Sequence, residues 1–316
     1  LDDKYSIESG RIFVTGVQAL ARIPMVQRQR DVLEGLNTAG FISGYRGSPV
    51  GGFDQQLWRA KKFLEQNHIH FQPGLNEDLA ASAIWGSQQT NLHEGGTYDG
   101  VFAIWYGKGP GVDRCGDVFK HGNMSGPAKY GGVLLIAGDD HAAKSSTVPH
   151  QSEYAFMDAS IPVLNPAGVQ EVIDYGVLGF AMSRFSGCWV AFKTTAENMD
   201  SSSSIDVSPD RVKISLPDFE MPEGGLSIRW PDDWIEQEHR LHQYKLNAAR
   251  AFARENRIDR IIIESKTPKL GVITTGKSYL DVRQALEDLG IDEAKADKLG
   301  LCLYKVGMPW PLEPAG

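Results

Sequence analysis

Cysteine is scarce in this chain of 316 residues, which contains only Cys115, Cys188 and Cys302. These three cysteines stand far apart, and none has the spacing to another cysteine or to a histidine that a zinc or iron–sulfur ligand set requires. We therefore expect a reducing compartment, and no metal or iron–sulfur site held by this chain alone.

Long hydrophobic runs and an excess of positive charge are also lacking. The longest apolar run, Val133 to Ala137, has the length of a strand and is far too short to cross a bilayer. The formal net charge of −8 gives no bulk attraction to nucleic acid or to an anionic membrane, so we expect neither as a partner. The opening residues Leu1 to Lys4 are polar and no hydrophobic segment follows them, so we expect no signal peptide and a cytoplasmic protein.

What the sequence does contain is a repeated alternation of strand, loop and helix patterns. It predicts strands at 11–16, 41–45, 69–72, 101–105, 133–137, 161–164 and 188–193, and helices at 18–36, 53–66, 77–86 and 167–183. Such βα repeats predict an α/β fold with a doubly wound, mostly parallel sheet. Ligands of such sheets bind outside the carboxyl ends of the strands, so the loops that follow the strands should share one edge.

The later part of the chain predicts a different organisation. We expect a first domain over residues 1–205, closed by a serine-rich linker from Ser201 to Ser204. Residues 206–265 should form a connection that contains one long helix. Residues 266–316 contain only a strand–helix–strand pattern, and two strands with one helix cannot hold a core. We therefore expect an incomplete second α/β domain, which belongs to a longer protein or is completed by a partner.

The segment around Glu77 is the first candidate for a functional site. Asn76 stands at a helix N-cap position, and Glu77 and Asp78 fall in the first helical turn. Small residues from Ala80 to Ala83 let another backbone or a flat ligand come close, and a carboxylate in such surroundings is costly unless something needs it. The alternative is that Glu77 only complements the helix dipole. This stretch alone favours that alternative.

Three loops at predicted strand ends carry further polar residues. The segment Tyr45 to Gly52 is compatible with a plain turn, and it lacks the ending of a phosphate-binding P-loop. Lys108 lies in a glycine-rich loop at 106–113, which either faces an anion or is solvated. The loop at 138–150 contains His141 and Lys144 among other polar residues. Its order does not fit a zinc site, which leaves substrate contact or a solvated polar loop.

Together these segments resemble a known family. GYRGSPVG, NEDLAASAIWGSQ, the glycine-rich 106–116 loop, LLIAGDDHAAKSS, IPVLNPAGVQE and VAFKTT occur in the order and spacing of the thiamine-diphosphate pyrimidine-binding domain of 2-oxoacid:ferredoxin oxidoreductases. The motif SGYRGSPVGGFDQ is similar to the branch of large, fused bacterial indolepyruvate ferredoxin oxidoreductases. LGVITTGKSYLDVRQAL and LYKVGMPWPLEP resemble the start of the family's next, transketolase-C-like domain. The resemblance covers essentially the whole chain.

The resemblance implies a mechanism centred on Glu77. In the family, an acid at this position hydrogen-bonds the aminopyrimidine N1′ of thiamine diphosphate, and the activated cofactor decarboxylates a 2-keto acid. Electrons then pass through iron–sulfur clusters to ferredoxin, and coenzyme A collects the acyl group. The family's Y-P-x-T-P loop corresponds to Tyr45 to Pro49, with Arg46 in place of proline and Ser48 in place of threonine. The implied cofactor contacts are Glu77, Asn76, Tyr45, Ser48 and Pro49, and the implied substrate contacts are Arg46, Ser48, His141, Lys144 and Lys108.

The chain departs from the complete family pattern in two respects. It has no GDG…N motif, so Mg²⁺ and the cofactor's diphosphate are expected on a diphosphate-binding domain of the same or another protomer, which suggests a homodimer. It has no cysteine clusters, so the [4Fe-4S] clusters are expected elsewhere too. Three alternatives stay open. They are an oxidoreductase for pyruvate, branched-chain or 2-oxoglutarate substrates, a non-catalytic scaffold domain, and a nucleotide-binding module. The acid at Glu77 argues against a scaffold, and the lack of a GxGxxG fingerprint argues against a nucleotide-binding module.

Overall fold

The computed structural model describes residues 2–145 and 147–316, with alternating strands and helices through most of the chain. The strands are β1 (Arg11–Thr15), β2 (Ala39–Gly44), β3 (Ile69–Phe71), β4 (Val101–Lys108), β5 (Val133–Gly138), β6 (Val163–Leu164), β7 (Val190–Thr194), β8 (Ser202–Asp206), β9 (Arg260–Ile263), β10 (Leu270–Thr275) and β11 (Leu301–Val306).

The helices vary from single turns to five turns. They are α1 (Asp3–Ser6), α2 (Gly16–Leu33), α3 (Phe53–Arg59), α4 (Lys61–Gln66), α5 (Glu77–Gln88), α6 (Gly109–Arg114), α7 (Gly116–Ser125), α8 (Glu153–Asp158), α9 (Val169–Ser186), α10 (Ala196–Met199), α11 (Trp234–Arg240), α12 (Leu246–Glu255), α13 (Lys277–Asp288) and α14 (Glu293–Leu299). A π-helical turn, Leu241–Lys245, joins α11 to α12.

A six-stranded sheet in the order β3-β2-β4-β5-β7-β6 forms the centre of the molecule, and all its neighbouring strands are parallel. Successive side chains of each strand point to opposite faces of this sheet. In β4, Ile104 and Tyr106 therefore join the core on the face covered by α2 and α9, while Trp105 joins the core on the face covered by α5 and α7. The prediction of a doubly wound α/β fold is confirmed.

The serine-rich segment was predicted to be a linker, and that prediction is wrong. Residues 202–204 lie in β8, which pairs in antiparallel register with β1 in a separate two-stranded ribbon. Serine side chains are tolerated there because those of Ser202 and Ser204 point outward, while Ile205 is fully buried in the core. The first predicted strand thus forms as expected, but it lies outside the parallel sheet.

Two other predictions also need correction. The glycine-rich segment 106–113 is not a loop, because β4 continues to Lys108 and α6 begins at Gly109. The predicted helix at 53–66 is divided at Ala60 into α3 and α4.

The C-terminal part holds more structure than the sequence predicts. Strands β10, β11 and β9 form a three-stranded sheet in that order, and α14 was not foreseen. Four buried residues, Ile263, Ala296, Leu301 and Leu303, give this sheet a small core of its own. The unit also contacts the main sheet, since the Val163 N–H donates to the Trp310 carbonyl at 2.7 Å. The proposed domain boundaries at 205/206 and 265/266 stay predictions.

Candidate active site

The carboxyl ends of β2, β4 and β5 meet at one edge of the parallel sheet, as the topology predicts. The N–H of Tyr45 donates to the carbonyl of Tyr106 at 3.0 Å, which joins the ends of the first two strands. The N–H of Gly74 donates to the carbonyl of Gly44 at 2.9 Å, which brings the turn before Glu77 to the same place. Most of the residues singled out in the sequence therefore lie along one edge.

Glu77 is the first residue of α5, and its backbone is held on two sides. The side chain of Asn76 caps the helix by accepting from the Leu79 N–H at 2.8 Å, as its position in the sequence predicts. The indole N–H of Trp105, on β4, donates to the Glu77 carbonyl at 3.0 Å. These two bonds fix the point from which the carboxylate side chain leaves the helix.

The Glu77 side chain is largely buried, with 13% of its surface exposed, but its surroundings are not purely apolar. A Cβ atom at Gly111 would lie 2.5 Å from the Cγ of Glu77, so the backbone of α6 packs directly on this side chain. The guanidinium of Arg114, also on α6, stands 3.6 Å from the carboxylate. The Glu77 carboxylate therefore has a cation as its neighbour, because a spacing of three residues on α6 places Arg114 beside Gly111.

The 45–49 segment follows β2 as an exposed loop. The side chains of Tyr45, Arg46 and Ser48 are exposed, and Pro49 is partly buried. Arg46 makes one polar contact among the described residues, from its Nε to the Oδ2 of Asp54 at 3.1 Å. A Cβ atom at Gly47 would lie 2.7 Å from the Cβ of Lys108, so this loop packs closely on the end of β4.

Lys108 was proposed to face an anion, and the structure gives its ammonium group partners within the chain. Its Nζ donates to the carbonyl and the hydroxyl of Ser145, both at 2.9 Å, and lies 3.5 Å from the Oδ2 of Asp140. The backbone N–H groups of Ser145 and Lys144, with the charge of Lys108, lower the pKa of Asp140 to about 2. The Lys108 charge is therefore neutralised by the 138–150 loop.

The side chains of His141 and Lys144 are exposed in that loop. The Nδ1 of His141 lies 3.1 Å from the carbonyl of His150, whereas the recorded contact of Lys144 is made by its backbone N–H to Asp140. Ser146, in the same loop, lies outside the described residues.

A buried group of charges beside the loop was not foreseen. Asp139 has a fully buried side chain, accepts from the N–H of Ser152 at 3.0 Å and lies 3.6 Å from the Nζ of Lys193. Lys193 also pairs with Glu153. His150 lies between Asp113, at 2.9 Å, and Asp139, at 3.7 Å. Asp139 and His150 stand in the polar loop that the sequence singles out, but Lys193 lies within the apolar strand β7 and gives no signal of its own.

Cys115 lies under the start of α5 and is not a reactive thiol. Burial raises its pKa, and the nearby carboxylates of Asp78 and Glu77 raise it further. The thiol therefore stays protonated at neutral pH. Within the described ranges, no cluster of three or more His, Cys, Asp or Glu side chains could hold a metal ion, and no helix is long and apolar enough to cross a membrane.

Comparisons with known proteins find relatives that match nearly the whole chain. Residues 260–316 match the model of the indolepyruvate oxidoreductase domain. The indolepyruvate oxidoreductase subunit IorA of Pyrococcus abyssi is 30% identical over 303 residues, which cover 92% of this chain and 41% of that protein. The subunit of the same name from Pyrococcus horikoshii is 30% identical over 316 residues, covering 96% of this chain and 42% of that protein. The chain thus spans about two fifths of the length of these relatives.

A solved structure shares the fold. It is the 2-oxoglutarate:ferredoxin oxidoreductase from Magnetococcus marinus with 2-oxoglutarate, coenzyme A and succinyl-CoA bound. The two superpose with a TM-score of 0.67 at 15% identity, over 96% of this chain and 55% of that chain. The resemblance predicted from the motifs is therefore confirmed over nearly the whole length of this chain by relatives that carry the indolepyruvate oxidoreductase name, and the solved structure shows the same fold.

Proposed function

We propose that this chain is the pyrimidine-binding part of a thiamine-diphosphate-dependent indolepyruvate or arylpyruvate:ferredoxin oxidoreductase. The names of the relatives support the indolepyruvate branch, and the match over residues 260–316 carries the same name. Because the chain spans only about two fifths of those relatives, the activity belongs to a larger assembly. On this proposal the chain supplies half of the active site, and alone it is inactive.

The observation that carries the proposal is the setting of Glu77. Its carboxylate leaves the first turn of a capped helix, and a backbone without side chains packs beside it at Gly111. A flat ring can approach such a carboxylate edge-on, which fits the aminopyrimidine of thiamine diphosphate. An acid that only complements the helix dipole acts from an exposed first turn, so it needs no such close packing of backbone beside it. Arg114 is 58% exposed and is free to move into solvent when Glu77 changes partner.

The residues of this chain act by holding and orienting. When bound, thiamine diphosphate supplies the carbon nucleophile that adds to the keto carbon of a 2-keto acid. Glu77 would hold a proton at the N1′ atom of the aminopyrimidine. Asn76 fixes the start of α5 through its cap, and Tyr45, Ser48 and Pro49 form the wall of the cofactor site.

Arg46 is the proposed receptor for the substrate carboxylate, since a guanidinium pairs with a carboxylate through two parallel hydrogen bonds. The Ser48 hydroxyl is a second proposed substrate contact. His141 and Lys144 are further ones, because both side chains are exposed on the loop that follows β5. Lys108 holds that loop through Ser145 and Asp140, so we now assign it an indirect role.

The remaining parts of the reaction are assigned to other domains. A diphosphate-binding domain of the same or another protomer would hold Mg²⁺ and the diphosphate, in a homodimer. The [4Fe-4S] clusters that pass electrons to ferredoxin, and the site for coenzyme A, would also lie outside this chain.

A second candidate substrate is 2-oxoglutarate, because the solved structure with the same fold is named for it. At 15% identity that likeness concerns the fold alone, and the relatives of higher identity carry the indolepyruvate name. A scaffold without activity is the third candidate, and the buried carboxylate of Glu77 argues against it.

The test uses the complete enzyme in which this chain occurs. Reduction of a viologen dye is followed with indolepyruvate, phenylpyruvate, pyruvate and 2-oxoglutarate, with and without thiamine diphosphate. We expect turnover that depends on thiamine diphosphate, with the highest kcat/KM for the two aryl substrates. A preference for pyruvate or 2-oxoglutarate would move the protein to another branch, and the absence of thiamine-dependent turnover would overturn the proposal.

A further inference from the structure

Asp54 is a buried carboxylate at the edge where the candidate site lies. Only 4% of its side chain is exposed, and it stands in the first turn of α3. Its Oδ2 pairs with the Nε of Arg46 at 3.1 Å, while its Oδ1 has no hydrogen-bond partner among the described residues. A buried carboxylate with an unpaired oxygen costs free energy. Such a group calls for an explanation beyond packing.

The surroundings of Asp54 make that cost larger. Phe53 packs edge-on against the ring of Tyr106, with centroids 5.1 Å apart, so the start of α3 lies on the end of β4. The Tyr106 hydroxyl is also buried without a partner in the part of the chain that the structure describes. Burial raises the pKa of Tyr106, and the Asp54 charge raises it further. The hydroxyl stays neutral, so Arg46 is the partner that offsets the Asp54 charge.

The Arg46 side chain is 65% exposed, in contrast to Asp54. Its Nε is used by Asp54, and no contact within residues 2–145 and 147–316 uses its two Nη atoms. A guanidinium presents its N–H groups as a rigid planar fork, and an ion pair at Nε leaves both Nη atoms available for a second partner. The Asp54 carboxylate therefore holds the exposed guanidinium of Arg46 at this edge of the sheet.

We propose that Asp54 is a positioning residue, which orients the Arg46 guanidinium so that its two Nη atoms receive the carboxylate of the 2-keto acid. This inference rests on the proposed function, because it assigns a part to a residue to which the proposed function gives no role. The competing explanation is that Asp54 complements the dipole of α3 and has no connection with substrate.

A double-mutant cycle in the complete enzyme separates the two explanations. The variants are Asp54→Asn, Arg46→Met and the double variant, and the measured quantities are kcat and KM for phenylpyruvate by viologen reduction. We expect Asp54→Asn to raise KM about tenfold with kcat changed by less than about threefold, because charge-assisted hydrogen bonds to the substrate carboxylate are weakened. Arg46→Met should raise KM at least as much, and the double variant should be no worse than Arg46→Met alone.

Binding of phenyllactate, a carboxylate that lacks the keto group, is measured by calorimetry on the same four proteins. Its dissociation constant should follow the same non-additive pattern, independently of turnover. The matched control is Arg59→Met, which removes an exposed arginine from α3, the helix that contains Asp54. It should leave the KM for phenylpyruvate and the dissociation constant of phenyllactate unchanged. A thermal melt of each variant identifies losses that come from unfolding. The double variant carries neither charge, so it should fold even if one of the single variants does not.

The outcomes are distinguishable. An Asp54→Asn enzyme with the KM of the wild type overturns this inference and leaves the proposed function intact. Additive effects in the double variant also overturn it, because Asp54 would then act without Arg46. A wild-type enzyme that turns over no 2-keto acid overturns the proposed function and this inference together.

Discussion

At the scale of single residues, Gly111 leaves the space that the Glu77 side chain occupies. Gly111 lies on α6, and any side chain there would meet the Glu77 side chain. The sequence shows a glycine-rich segment, but it does not show which glycine faces which residue, because that depends on how α6 packs against α5. By contrast, the N-cap at Asn76 was predicted from the sequence, since capping is decided within four residues.

The variant Gly111→Ala tests this contact. The added Cβ would lie 2.5 Å from the Glu77 Cγ and 2.8 Å from its Oε1, so the carboxylate must move. We expect about a 100-fold loss of kcat in the complete enzyme, since displacements near 1 Å at a catalytic group have effects of this size. The melting temperature should fall as well, because overpacking of this kind lowers the unfolding free energy by about 1–3 kcal/mol.

Gly86→Ala is the matched control for that variant. Gly86 lies within α5 and has open space around it, so alanine should stabilise the helix by about 0.5–1 kcal/mol. Normal activity in both variants would contradict the close approach of α6 to Glu77.

At the scale of elements, the long helix predicted within residues 206–265 forms, but with a π-helical turn at Leu241–Lys245 that the sequence does not reveal. The turn contains Lys245, whose buried ammonium donates to the carbonyls of Asn123 and Met124 at 3.1 and 2.8 Å. These carbonyls belong to the last turn of α7, so Lys245 caps that helix from another part of the chain. A cap made across 120 residues leaves no local pattern.

Burial lowers the pKa of Lys245 from 10.5 to about 8. Between pH 8 and 10.5 the unfolded chain binds this proton more tightly than the folded chain, so the contribution of Lys245 to stability rises with pH across that window. The gain in unfolding free energy amounts to about 3 kcal/mol, and it is absent below pH 8.

We therefore expect the unfolding free energy of the wild type to gain about 3 kcal/mol over that of Lys245→Met between pH 7.5 and 10.5. Urea unfolding at the two pH values measures this difference. Lys62→Met, at an exposed lysine, should show no such change. A constant difference between the wild type and Lys245→Met would mean that Lys245 titrates as an ordinary lysine.

At the scale of the whole molecule, the mostly parallel sheet was predictable because continuous apolar runs and glycine-rich strand ends mark buried parallel strands. The C-terminal sheet was underestimated because its third strand, β9, precedes the other two and pairs with β11 only in the folded chain. The strand β8 was missed for a similar reason, since its serines give no strand pattern until β1 pairs with it. The strands that were not predicted are therefore those that form only by pairing with distant segments.

A buried ion pair connects the C-terminal sheet to the main domain. The Lys305 ammonium, which has no exposed surface, pairs with Glu171 on α9 and lies over the rings of Tyr175 and Tyr279, at 5.3 and 4.8 Å. Arg260 stands 3.6 Å from the same carboxylate. These contacts therefore connect β11, α13 and β9 to α9.

Removing one partner of a buried pair leaves the other charge unpaired. We expect Glu171→Ala to lower the unfolding free energy by about 3–5 kcal/mol, as measured by urea unfolding. The exposed pair between Lys277 and Asp281 offers a comparison, and Asp281→Ala should cost less than about 1 kcal/mol. Equal costs for the two variants would show that the Lys305–Glu171 pair does not hold the two parts together.

The most direct test of the central claim is the activity of Glu77→Gln in the complete enzyme, measured by thiamine-diphosphate-dependent viologen reduction with indolepyruvate and phenylpyruvate. Glutamine keeps the shape and the helix of Glu77 but cannot hold the carboxyl proton at the cofactor, so we expect kcat to fall by about two to four orders of magnitude in a folded protein. Asp78→Asn, at the neighbouring acid of the same turn, should keep near-normal activity. If Glu77→Gln also keeps near-normal activity, Glu77 is only an acid that complements its helix dipole, and the chain does not supply the activating carboxylate.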